Sequence, residues 1–136
     1  MTSEELKAAS WRFDDEFFNK GNAAIVEELL AENFVNHDPL PGQEATREAL
    51  KNYLPVIRQA FPDLVFSNEA MLADGDLVAH RVRMVGTHQG DFAGVAPTGK
   101  QITIRSHDFQ RWENGKMVER WSIADTEGLR QQLAAK

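Results

Sequence analysis

The hydrophobic pattern changes period once along the chain, near Pro62. Before that point apolar residues recur at helical steps; after it they alternate. Leu6, Ser10, Phe13 and Phe17, widened by Trp11 and Phe18, form a stripe that predicts a helix over 2–19, with Thr2 and Glu5 at capping-box spacing. Lys20-Gly21-Asn22 ends it, and Asn22 can cap a short second helix carrying Ile25, Val26, Leu29 and Leu30, which stops near Asn33. Pro39-Leu40-Pro41-Gly42 marks a loop. A third helix is expected over 44–60, with Leu50, Tyr53, Leu54, Ile57 and Phe61 on one face and a kink at Pro55, which lacks a backbone donor.

Beyond Pro62 the alternation predicts strands over 64–73 and 77–87, then a hairpin over 101–125 that turns at Glu113-Asn114-Gly115-Lys116. His80, Val82 and Met84 share one strand face, Arg81 and Arg83 the other. His88 to Lys100 is a Gly-rich loop without hydrophobic period, expected to be mobile and to border a pocket mouth. A closing helix is expected over 126–134. Helices followed by strands imply an α+β domain spanning 1–136, with the N-terminal helices packed on the concave face of a strongly curved antiparallel sheet and a pocket between the layers.

The hairpin draws attention to itself. Its first strand has Ile102, Ile104, Ser106, Asp108, Gln110 and Trp112 on one face, and two Ile and a Trp turn that face inward. Asp108 goes with them. A carboxylate on a buried face is costly unless it is paired, protonated or used.

Composition narrows the function classes. Net charge is −6, with no basic stripe of the kind a phosphate backbone needs, so no nucleic-acid partner is expected. The absence of cysteine excludes disulfides and thiolate metal sites. No signal-peptide pattern and no membrane-length apolar run is visible, which leads to an expected cytoplasmic location without membrane association. The four His are scattered without metal-ligand spacing, so no metal is expected; no Gly-x-Ser-x-Gly elbow or phosphate loop is present.

Asn36-His37-Asp38-Pro39, Phe61-Pro62-Asp63, Gly75-Asp76, Gly86-Thr87-His88-Gln89-Gly90, Pro97-Thr98-Gly99, Gly115-Lys116 and Gln132-Leu133 occur in an order that resembles SnoaL-like polyketide cyclases and the related predicted ester cyclases. The resemblance covers nearly the whole chain. It implies the cone-shaped α+β barrel of the nuclear-transport-factor-2-like superfamily, a cofactor-independent enzyme, a homodimer through the convex sheet face, and an acid/base Asp that removes a proton alpha to a carbonyl. Asn36 matches a polar pocket residue of those enzymes, and Asp108 falls where they have a pocket His. Their acid/base Asp corresponds to Ser122 here, while Asp125 matches a second family acid.

The hairpin register decides which of these residues meet. A two-residue type I′ turn at Asn114-Gly115 pairs Asp108 with Trp121; a three-residue loop with a Gly115 bulge pairs it with Arg120. Apolar content favours the first. The resemblance favours the second, which is the reading adopted: Arg120 and Ser122 inward beside Asp108, Trp121 outward.

The expected site therefore has Asp108 and Asp125 as catalytic acids, with Asn36, His37, His80, His88, Arg120 and Ser122 available to a small apolar, carbonyl-bearing or cyclic substrate. Each has a bland counterpart. Asp108 could be a structural ion pair with Arg120, His80 a hydrogen-bonded core residue, Asn36 and His37 turn residues, and His88 a loop anchor. The alternative to an enzyme is a non-catalytic small-molecule-binding dimer of the same fold.

Overall fold

A computed structural model describes residues 1–135; Lys136, the end of the expected domain, lies outside the described residues. The chain begins with α1 (Ser3–Asp14), prolonged by a π-helical turn over Asp15–Asn19. Thr2 and Glu5 close the capping box reciprocally, at 3.1 and 3.0 Å. Leu6, Ser10, Phe13, Asp14, Phe17 and Phe18 are all buried, so the wide final turn keeps both Phe17 and Phe18 on the inner face.

The short α2 (Ile25–Leu29) leads directly into β1 (Leu30–Asn36), where the pattern predicts more helix. Leu-Ala-Glu are helix formers, but Leu30, Val35 and Asn36 pair with a strand from the far end of the chain, and tertiary pairing overrides local propensity. Next comes α3 (Arg47–Ala60), capped by Thr46 and continuous through the exposed Pro55; it starts three residues later than the helix expected from residue 44. The remaining strands are β2 (Val65–Asp74), β3 (Leu77–Thr87), β4 (Gln101–Glu113) and β5 (Lys116–Ala124), followed by α4 (Thr126–Ala134).

The five strands form one sheet in the order β1-β5-β4-β3-β2. All neighbours are antiparallel except β1 and β5, which run parallel, so the sheet is mixed rather than wholly antiparallel. The helices cover its concave face, and the core lies between the layers: Phe13 stacks on Phe17 at 5.2 Å, and Phe18 stacks on Phe66 of β2 at 4.2 Å. At the free edge of β2 the Asn19 amide accepts from Phe66 N at 2.7 Å and donates to Phe66 O at 3.1 Å, doing locally what another strand would do.

The Gly-rich loop sits elsewhere than expected. Gln89 N and Gly90 N both donate to Ala60 O, at 2.9 and 3.2 Å, which ties the loop to the C-terminus of α3. A Cβ at Gly90 would lie 2.4 Å from Gln59 O, so only glycine allows that approach. The loop packs at the end of α3 instead of at the mouth of the cleft described below, none of whose lining residues belongs to it.

Candidate active site

The geometry of the site starts at the hairpin turn. Asn114 (φ 51°) and Gly115 (φ 78°) are both left-handed and Glu113 pairs with Lys116, the signature of a two-residue type I′ turn. Trp112 still pairs with Met117, but Arg111 pairs with Glu119: Val118 is the extra residue of a β-bulge. Beyond it Gln110 faces Arg120, Asp108 faces Ser122 and Ser106 faces Ala124. Neither register weighed from the sequence is therefore right as drawn. The turn is the two-residue one, and the bulge then rotates Arg120 and Ser122 inward, as the three-residue reading had them. Asp108's cross-strand partner is Ser122, with Arg120 on the diagonal.

A cleft of about 530 Å³ opens between α3 and the concave face. Its walls are apolar: Phe18, Leu50, Ile57, Phe66, Val82, Met84 and Ile104. Its polar lining comes from Asn36, Tyr53, Ser106, Arg120 and Ser122, and His37 and Asp38 lie at the rim. Such a mixture, a greasy body with a few converging polar groups, is the usual make-up of a small-molecule site.

Behind this lining is a second, drier layer. Ser122 Oγ donates to Asp108 Oδ1 at 2.5 Å, and Arg120 Nη2 lies 3.7 Å from Asp108 Oδ2. Asp108 pairs across the sheet with His80, whose Nδ1 is 3.4 Å from Asp14 Oδ2 on α1. One ligand atom from each of Asp14, His80 and Asp108 lies within 4.8 Å of the others, and all three residues are buried. Asp14 Oδ2 and both ring nitrogens of His80 have no hydrogen-bond partner among the described residues. Burial, reinforced by the like charge of Asp108, pushes the Asp14 carboxyl up to about 8, with Arg120 acting the other way. Desolvation holds His80 below the usual histidine range against the pull of Asp108. Alongside, in the buried layer, Gln110 Oε1 accepts from Ser10 Oγ at 2.7 Å and from Trp112 Nε1 at 3.0 Å.

The trio has the spacing a cation could use. The guanidinium of Arg120, close to Asp108, opposes a second positive charge there.

The other expected site residues divide between the cleft and elsewhere. Asn36 is on the cleft, its Oδ1 turned back to accept from Asp38 N at 3.2 Å. His37 stacks on Trp121 at 4.6 Å and its Nε2 meets Glu119 Oε1 at 3.1 Å, so the ring is held at the rim. His88 is fully buried away from the cleft, where Nδ1 accepts from Thr98 N at 3.2 Å and the ring packs on Phe61; it anchors the loop. Asp125 is exposed and absent from the cleft lining; its Oδ1 caps α4 by accepting from Gly128 N at 2.8 Å. Helix-capping geometry accounts for an acid at that point without any chemistry. Asp14 was not singled out from the sequence, although it sits four residues after Ser10 and four before Phe18, on the very stripe that predicts α1.

The model of the SnoaL-like polyketide cyclases matches residues 8–133, and the chain belongs to that family. Among solved structures, IdmH from Streptomyces antibioticus, provisionally a polyketide cyclase, is 29% identical with a TM-score of 0.84, covering 96% of this chain and 99% of that one. AclR from Streptomyces galilaeus, provisionally a hydroxylase, is 26% identical with a TM-score of 0.85, covering 97% of each chain. TsrD from Streptomyces laurentii shares the fold at 19% identity, with a TM-score of 0.89 over 100% of this chain and 99% of that one. Comparison with curated proteins finds no significant match.

Proposed function

We propose that the chain is a cofactor-independent acid/base enzyme of cyclase, isomerase or hydrolase type, acting on a small apolar carbonyl-bearing or cyclic molecule held in the cleft. The observation that carries this is the contact between Ser122 Oγ and Asp108 Oδ1. In the family resemblance the acid/base Asp stands where this chain has Ser122, and the pocket His where it has Asp108. Here the carboxylate has moved one strand across, from β5 to β4, and the cleft-facing serine hydroxyl touches it. A proton leaving a substrate carbon passes to Ser122 Oγ as the serine proton passes to Asp108 Oδ1. The C–H bond breaks, the carboxylate is protonated, and its negative charge reappears on the carbonyl oxygen as an enolate. Asp14, protonated at neutral pH, and His80, neutral, back the carboxylate without adding a second negative charge.

The test uses simple carbonyl compounds. In D2O, the enzyme is expected to catalyse hydrogen exchange at the alpha carbon of cyclic ketones such as 2-tetralone, followed by NMR. Asp108→Asn should lower the exchange rate by about 10²-fold or more, the usual loss when a general base is removed. Ser122→Ala should lower it too. Asp108→His combined with Ser122→Asp, which restores the arrangement the resemblance implies, should recover part of it. Exchange unaffected by Asp108→Asn would rule this reading out.

A further inference from the structure

Asp38 is an exposed residue at the rim that the acid/base reading leaves unused, yet its carboxylate holds the reacting serine: Ser122 N donates to Asp38 Oδ2 at 2.9 Å. The sheet gives this bond its meaning. β1 and β5 run parallel, Asn36 pairs with Arg120, and His37 N donates to Arg120 O at 2.9 Å. Main-chain groups facing a parallel neighbour recur on alternate residues, so the next donor along β5 is Ser122 N. β1 ends at Asn36, and Pro39 has no N–H with which to carry the ladder on. The Asp38 side chain therefore supplies the acceptor that a longer β1 would have offered from its main chain. A carboxylate oxygen makes the stronger, charge-assisted form of that bond.

The effect reaches the serine hydroxyl. Because Ser122 N points toward Asp38, it points away from β4, and Asp108–Ser122 is a non-hydrogen-bonded antiparallel pair, the kind whose side chains lie closer together. Ser122 Oγ accordingly reaches Asp108 Oδ1 at 2.5 Å. Asp38 also belongs to a loop that borders the cleft through Pro39, Leu40 and Gln43. Asn36 N donates to Ala45 O at 2.9 Å and closes the base of this loop, and Asn36 Oδ1 accepts from Asp38 N at 3.2 Å. We infer that Asp38 is a positioning residue for the Ser122–Asp108 pair, tying the end of β5 to the loop at the cleft mouth so that hydroxyl and carboxylate stay aligned on a substrate seated beside that loop. This rests on the acid/base reading above and adds a residue to it. Asp38 takes no proton itself; it acts through the main chain of Ser122. Without it, β5 beyond Arg120 is held by β4 alone, and a shift of about 1 Å in a reacting group can cost about 10²-fold in rate.

The test combines hydrogen exchange of 2-tetralone with amide hydrogen exchange of the protein. Asp38→Ala should lower kcat for the ketone about tenfold or more and change KM far less. Asp38→Asn, whose amide oxygen can accept the same bond, should restore most of the rate. Asp38→Ala combined with Ser122→Ala should be no slower than Ser122→Ala alone, because both changes act through one hydroxyl. In the protein, the Ser122 amide should exchange faster in Asp38→Ala than in wild type, while the Val82 amide on β3 stays unchanged. A wild type inert towards the ketone removes the acid/base reading. A Ser122 amide unaffected by Asp38→Ala removes the positioning role whether or not the ketone reacts. Full kcat in Asp38→Ala, or losses that multiply in the double variant, would also overturn it. So would an Asp38→Asn enzyme as slow as Asp38→Ala, since the carboxylate itself would then be the reacting group.

Discussion

At the scale of single residues, the most informative group is one the hydrophobic pattern concealed. Asp14 lies on the buried stripe of α1, where a carboxyl can persist only neutral or paired. Its pKa is raised from 3.8 to about 8, mainly by burial. Between those values the folded protein holds a proton that the unfolded chain releases, so Asp14 contributes stability that is full at low pH and is lost as pH rises through about 8. His80, held low, contributes in the opposite sense at acid pH, where the unfolded chain takes up a proton that the folded one refuses. The prediction concerns the difference between wild type and Asp14→Asn in denaturant titrations at several pH values. Wild type should lose stability relative to the variant from about pH 3.8 to about pH 8, and the difference should level off above that. Parallel curves would mean that Asp14 is ionised in the folded protein.

At the scale of elements, the lesson is in the β4–β5 hairpin. Which face of β4 points inward was legible from Ile102, Ile104 and Trp112, and the turn was legible from Asn114-Gly115. The Val118 bulge was not, because Lys116-Met117-Val118-Glu119 has no Gly or Pro to mark it and both Met117 and Val118 are buried. The resemblance supplied the correct facing for a reason the alternation could not, since it required position 122 to look into the cleft. The β1 strand was missed for a similar cause: its partner, β5, is remote in sequence. A second consequence concerns Asp125, which the same reading made a catalytic acid. As the N-cap of the nine-residue α4, its replacement in Asp125→Ala should cost about 1 kcal/mol of stability in chemical denaturation. Ketone exchange per folded molecule should be unchanged. Loss of exchange with full stability would return Asp125 to the chemistry.

At the scale of the whole molecule, the convex face of the sheet raises the question of a partner, and we propose a second copy of this chain. Leu72, Ala79, Phe109 and Trp121 lie in one cross-strand row over four strands, with Arg81, His107 and Ile123 in the next. Leu72 is 74% exposed, Ile123 65% and Phe109 55%, a contiguous apolar surface larger than scattered single residues would give. Part of the charge on this face is matched internally: Glu69 meets Arg105 at 2.7 Å and Arg81 at 3.4 Å. A contiguous apolar patch of this kind can meet its own copy about a two-fold axis, the same surface serving both partners. The expected result is a dimer in sedimentation at micromolar concentration. Phe109→Asp combined with Leu72→Asp should give a monomer with unchanged circular dichroism, since both side chains are exposed, fill no part of the core and do not line the cleft. The cleft opens on the opposite face, so exchange should persist in that monomer. One link remains between the two faces: Trp121 stacks on His37, which lines the rim of the cleft. Freed from a partner, Trp121 would hold His37 less firmly, so monomerisation should raise KM more than it lowers kcat. A wild type that sediments as a monomer, or a double variant that remains a dimer, would place the interface elsewhere or remove it.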